Sequence, residues 1–280
     1  MILALDALRG ISFPLQFREN CTRRLRATIV AGLRRFAGPL VAVMCAACGT
    51  HDTTVEFYFA DGYRFSPAER RAIEQIAEST AVEARCMLPS LPRGLVIGVH
   101  AGTDVIPETG ETASTVSPAT VIWVVNPAHE GGVLAVVRTW LRATLLHEFH
   151  HLVRAQTITS TSLMDEVITE GMATVFERDV AGVSPPWGMY PDNVADWVTE
   201  LIALPPDAGS NYWVRERHPD GRRWIGMRAG AYLVDRAMKA SDHLRQTLYR
   251  RRPKRWLKWP PPVWRRAKSG RHLWPTSPAE

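Results

Sequence analysis

Cysteine is scarce in this chain: four in 280 residues, at positions 21, 45, 48 and 86. Only Cys86 falls after residue 48, so no disulfide framework can staple the body of the protein. Stability must come from a buried apolar core, for which a chain of this length has ample material. Cys45 and Cys48 form a C-x-x-C, but no second pair follows and no β-α-β pattern surrounds them. That argues against a zinc ribbon or a thioredoxin-type redox site. The apolar run from Phe36 to Ala47 is too short to span a bilayer comfortably. Acid is nearly missing from the end of the chain, where residues 245–280 hold eleven Lys and Arg against Glu280 alone. Residues 1–48 hold seven Arg against Asp6 and Glu19. The formal charge of +6 is therefore carried by the ends, and residues 49–244 keep sixteen basic side chains against twenty-five acidic ones. An acidic body excludes a broad basic face for nucleic acid on the folded domain.

The stretch with chemical content is Leu145-Leu146-His147-Glu148-Phe149-His150-His151-Leu152, an H-E-x-x-H pattern. On a helix, residues four apart share a face, so His147 and His151 can present both imidazoles to one metal ion. Glu148 stands next to the first histidine and can reach a water on that ion as general base. A surface helix could carry such residues on its polar side. The flanks Leu141, Leu145, Leu146, Phe149, Leu152 and Val153 are core-like, however, which predicts partial burial of His147 and Glu148. Buried polar side chains need partners, and a zinc ion would supply one.

Residues 22–48 read as an export signal: Arg23, Arg24, Arg26, Arg34 and Arg35, then the short apolar run, then small residues before Cys48. The ending Ala46-Ala47-Cys48 resembles a bacterial lipobox, which implies lipidation at Cys48, although Cys45 stands where Leu is usual. An ordinary buried N-terminal helix is the competing reading. Residues 1–21 fit neither part and suggest an upstream start site.

A strand is expected over Val55 to Ala60, and Ser66-Pro67-Ala68-Glu69 is a capping box that opens a helix to about Met87. Leu95 to Val99 and Thr120 to Val125 read as strands, with the Gly/Thr/Ser-rich stretch 101–117 between them as loop. A long helix is expected over 133–155. Ser162 caps a second, which ends before Gly182 and carries Glu166 and Glu170 one turn apart. Eighteen residues separate His151 from Glu170, enough for a loop and a returning helix. A carboxylate as third ligand leaves a fourth position open for water, as in catalytic rather than closed zinc sites. Gly171 and Ala173 lack bulk and are expected to let this helix pack closely on the motif helix. A short helix at about Asp192 to Leu204 lies in a Pro/Trp/Gly-rich segment, in which Trp187 and Trp197 are read as core.

H-E-x-x-H followed after eighteen residues by E-G-x-A resembles the gluzincin metallopeptidases. His147, His151 and Glu170 take the ligand positions and Glu148 that of the general base. The extra His150, the following Leu-Val-Arg and Glu170-Gly171 resemble a narrower group, bacterial predicted zinc-dependent proteases of otherwise unknown function. The segment Gly226 to Tyr232, with Gly230, is comparable to a later glycine-tyrosine segment of that group. The resemblance implies a small α+β, zincin-like domain whose short mixed sheet packs on the motif helix and the glutamate-bearing helix. It implies one zinc ion per chain, a peptide or protein substrate, and a downstream oxyanion-stabilising group, for which Tyr232 and His218 are the candidates. His150 lies on another face and is expected to support a ligand or to sit at the surface.

The domain reading is thus 1–48 as extension and signal or lipoprotein-type peptide, 49–241 as the metallopeptidase domain, and 242–280 as a basic, Trp/Pro-rich tail. The tail is read as a disordered or frameshifted end in preference to an arm for nucleic acid or anionic lipid. The expected location is the bacterial cell envelope or the medium, with membrane attachment through Cys48. A competing function is a non-catalytic zinc-binding envelope lipoprotein that acts as an interaction module. The intact Glu148 argues against it, because a structural site does not require that carboxylate.

Overall fold

The computed structural model describes residues 53–250, apart from 161, 206, 207, 209, 210 and 216. The export and lipidation reading at Cys48 and the tail beyond Arg250 lie outside the described residues. Among the described residues four strands and six α-helices follow in order: β1 (Thr54–Phe59), α1 (Pro67–Met87), β2 (Gly94–Ala101), β3 (Glu111–Ser117), β4 (Thr120–Val125), α2 (Gly132–Val136), α3 (Arg142–Arg154), α4 (Leu163–Ala181), α5 (Val194–Ala203) and α6 (Ile225–Arg250). The chain divides into two compact units, Met1–Met238 and Lys239–Glu280, and the described part of the second is the helical end of α6.

The sheet has the order β1-β2-β4-β3. β1 runs parallel to β2 with α1 as the crossover, and β2 runs parallel to β4, pairing Ile97 with Val121. β3 is antiparallel to β4, pairs Ala113 with Trp123, and is joined to it by Pro118-Ala119. Two parallel pairs and one antiparallel pair make a mixed sheet, and the domain is α+β. The alternation along β2 and β4 sends Leu95, Ile97, Val99, Val121, Trp123 and Val125 into the main core. There they meet Ile73, Ala77, Ala81 and Ala84 of α1 and Leu141, Leu145 and Phe149 from the motif region.

Stretch 101–117, expected to be loop, holds the edge strand β3. Its sequence, ETASTVS, has too little apolar content to advertise a strand, and its Thr and Val residues favour one only weakly until β4 pairs with it. The capping box forms as expected: Ser66 Oγ accepts from the Glu69 amide at 3.3 Å, and the Glu69 carboxylate accepts from the Ser66 amide at 2.6 Å. Ser162 caps α4 by accepting from the Asp165 amide at 3.2 Å. Gly182 ends it in the left-handed conformation, φ 69°.

The long helix before the motif is not uniform, because Val137–Leu141 forms a turn of π-helix between α2 and α3. Just after it, Arg142 donates to both Glu83 carboxylate oxygens, at 2.9 and 2.7 Å, and to the carbonyls of Val180 and Ala181. One side chain thus ties α1, α3 and the end of α4. A second apolar cluster gathers Leu163 and Val167 of α4, Trp197, Val198 and Leu201 of α5, and Ile225 and Ala229 of α6. The last helix runs past the expected domain end at 241: residues 242–250, read as the start of the tail, are helical.

Candidate functional site

α3 is sandwiched between the sheet and α4, so residues 143–150 are all buried. Its apolar side chains turn to the core, and His147, Glu148 and His151 line a cavity of about 610 Å³ bounded by β3, α4 and the segment after it. The imidazoles of His147 and His151 stand 4.7 Å apart between ring centroids, at 70° to each other. α4 returns Glu170 to them: its Oε2 lies 3.2 Å from His147 Nε2 and 3.5 Å from His151 Nε2. One ligand atom from each of the three residues lies within 4.8 Å of the others, the one such group among the described residues.

The electrostatics suit a cation. Burial alone would favour neutral His147, yet hydrogen bonds to Glu170 and Glu177 hold its proton well above the usual histidine range. Burial would likewise raise Glu170, but the two histidines, His151 foremost, pull its carboxyl well below the usual range. Two imidazole nitrogens that can exchange protons for an ion, and a carboxylate that stays ionised, form a donor set that fits zinc. With only three protein donors, a further coordination position is left for water or substrate.

Around these groups stands a supporting set that the sequence reading did not single out. Glu177, fully buried, accepts through Oε2 from His147 Nδ1 and Trp187 Nε1, both at 3.0 Å. Thr115 of β3 donates to Glu148 Oε2 at 2.8 Å. Glu111, at the head of β3 and 1% exposed, accepts from Trp123 Nε1 at 2.5 Å and from Thr144 Oγ1 at 2.8 Å. A signal for Glu177 existed, since it lies seven residues after Glu170 and so on the same face of α4. Glu111 and Thr115 share one face of a strand, a relation hidden while 101–117 is taken for loop. Trp187 is buried, as expected of core, but it also walls the cavity. Trp224 walls it too, in a left-handed conformation (φ 54°) that bulky residues rarely adopt.

The remaining candidates sit elsewhere. His150 is buried rather than at the surface: its ring packs 5.6 Å from Phe176, and its Nδ1 has no hydrogen-bond partner. Burial, with His151 and His147 nearby, pushes it down to about 3, so it is neutral. Tyr232 and His218 do not line the cavity. The Tyr232 hydroxyl accepts from Arg236 at 3.0 Å and its ring packs on Tyr190; His218 pairs with Asp220 at 2.9 Å and packs at a tilt against Trp213. α4 packs closely on the motif helix, as expected, but the open side of Gly171 faces α6. Gly171 meets Gly230 of α6, where a Cβ on either residue would overlap backbone of the other helix.

Comparison with known proteins gives one family. The family described as predicted Zn-dependent protease (DUF2268) matches residues 73–249, a span from α1 into the end of α6. No curated protein and no solved structure matches the chain.

Proposed function

The chain belongs to the family of predicted zinc-dependent proteases, and from that premise we propose that it hydrolyses peptide bonds at a zinc ion held by His147, His151 and Glu170, in the manner of a gluzincin. The observation that carries the reading is the convergence of those three donors from two helices beside a fourth group, Glu148, that is not one of them. Zinc bound there would supply Lewis acidity, which brings the pKa of a water toward neutrality and polarises the scissile carbonyl.

The chain's own residues do the rest. Glu148 accepts the proton of the attacking water and returns it to the leaving amine. Thr115, bonded to Glu148 Oε2, fixes which carboxylate oxygen stays free for that exchange. Glu177 holds the Nδ1 proton of His147, so that Nε2 is the nitrogen facing the ion. β3 is an edge strand that lines the cavity, and its unpaired backbone suits an extended peptide added alongside it. The proposed place of action, the cell envelope, rests on residues 22–48 alone. The mass of the mature N-terminus tests it, with Cys48 lipidated and first as the expected result.

Metal analysis and peptide turnover on the full chain test the function. Glu148→Gln should keep about one zinc per chain and lose about 10²–10⁴ in kcat, the usual worth of a positioned general base. His147→Ala should lose the zinc. Turnover undiminished in Glu148→Gln would reject the mechanism, and equal zinc in His147→Ala would reject the site.

A further inference from the structure

The cavity is one-signed. Five carboxylates line it, Glu111, Glu148, Glu166, Glu170 and Glu177, and among the described residues no Lys or Arg does. The proposed mechanism uses three of them: Glu170 as ligand, Glu148 as base, and Glu177 under His147. A divalent ion would offset only two carboxylate charges, so the loaded cavity stays negative and concentrates cationic ligands. Glu177 Oε1 is buried without any hydrogen-bond partner, an acceptor still to be satisfied on the cavity wall.

Glu111 and Glu166 are left without a task, and of the two Glu111 is the buried one. Glu111 is pushed up to about 7 by that burial, with Glu177 and Glu148 adding repulsion. Trp123 and Thr144 orient it, one donor on each oxygen, which leaves the second lone pair of each oxygen open to another donor. Trp187 supplies an aromatic wall in the same cavity, suited to an alkyl stem, whereas the Trp224 ring already carries the Arg223 guanidinium at 4.0 Å.

The alternative would be recognition of an anionic group in the neighbouring depression of about 470 Å³, which Arg217 and Arg223 line. There Arg223 is already paired with Glu108, and Asp104 stands in the same wall, so the depression carries little net charge. The stronger and more buried field belongs to the glutamates.

We propose that Glu111 is a specificity-determining residue which seats a cationic nitrogen of the peptide, the ammonium of Lys or the guanidinium of Arg, beside the scissile bond. The proposal rests on the peptidase reading for its site, but its binding step stands apart from turnover. A free amino terminus offers the same ammonium chemistry, so the test must separate the two sources.

Three N-acetylated peptides that differ at one central position, Lys, Leu or Glu, are compared on the zinc-loaded full-length chain, with a free-amine version of the Leu peptide as fourth arm. Binding is measured by calorimetry on Glu148→Gln, and turnover on the parent. Acetylated Lys is expected to bind at least about tenfold tighter than acetylated Leu or Glu, and to show the same order in kcat/KM mainly through KM. Adding Glu111→Gln should reduce that ratio at least fivefold. Glutamine fits the site, because Trp123 can donate to its carbonyl while the Thr144 hydroxyl turns to accept from its amide. Zinc content and far-UV circular dichroism confirm that this variant is folded; should it not fold, Glu111→Asp, which withdraws the carboxylate by one methylene, should lower the ratio in its place.

Equal binding of Lys and Leu peptides, or a ratio untouched in the folded Glu111 variant, overturns the proposal. A preference for only the free-amine Leu peptide overturns the side-chain assignment in favour of the amino terminus. If the parent cleaves none of the peptides but binds Lys selectively through Glu111, the subsite stands and the peptidase reading falls.

Discussion

His147 is gripped from both sides, by Glu170 at Nε2 and by Glu177 at Nδ1, and the two contacts have different consequences. An ion would replace the first, whereas the second persists and fixes ring orientation and tautomer. Glu177→Ala should weaken zinc binding by about 10–100-fold, the usual cost of losing such a partner. Glu177→Gln, whose carbonyl can still accept from Nδ1 and from Trp187, should recover much of the loss. Zinc competition against a chelator, with the ¹⁵N shifts of the His147 ring as tautomer report, measures both. Equal affinity in the alanine variant, with an unchanged tautomer, would reduce Glu177 to packing. At this scale the sequence was legible where chemistry imposes a spacing. The i, i+4 relation put His147 and His151 on one face, and the eighteen-residue gap left room for Glu170 to return. Glu177, Thr115 and Glu111 obey no motif, because each answers to whichever side chain the fold brings next to it.

At the scale of elements, α4 carries ligand and support to the site, and its position depends on how closely it meets α6. Gly171 and Gly230 touch at that crossing: a Cβ on Gly171 would overlap Gly230, and one on Gly230 would overlap the carbonyl of Val167. Backbone cannot yield as a side-chain tip does, so Gly171→Ala should cost about 3 kcal/mol, the upper end for overpacking. Because Glu170 is the next residue, zinc affinity should fall with it. Urea unfolding and zinc titration on the same variant test this, and unchanged stability would mean that the helices part freely. The lack of bulk at Gly171 is legible in the sequence but its meeting with Gly230 is not, because a small residue announces close approach without saying to what. For the same reason the helices with caps were legible at their starts: Ser66 and Ser162 mark them by local hydrogen bonds. β3 was not, since an edge strand of Thr and Ser gains its order from β4. Nor was the π turn at Val137–Leu141, which leaves the apolar spacing of a helix nearly intact.

For the whole molecule, the cavity poses an electrostatic problem that a cation solves. Glu111, Glu148, Glu166, Glu170 and Glu177 face one space, and without an ion the compensating charge is a proton on His147 between two carboxylates. The ion must displace that proton, whose hold is raised above the ordinary histidine range, so zinc affinity should climb as pH rises through and beyond 6.5. Donors from α3 and α4 would then be joined through one centre, and the folded state alone offers that geometry. Zinc at a hundred times its Kd should therefore add about 2.7 kcal/mol. At roughly 2–4 °C per kcal/mol for a domain of this size, chelated protein should gain about 5–10 °C in Tm when zinc is restored. His147→Ala should show no such gain, since it lacks one ligand and also the histidine whose proton the ion displaces. Scans of both proteins at pH 6 and 8 decide the matter. A gain shared by the variant, or one larger at pH 6 than at pH 8, would show that zinc acts somewhere other than this cavity.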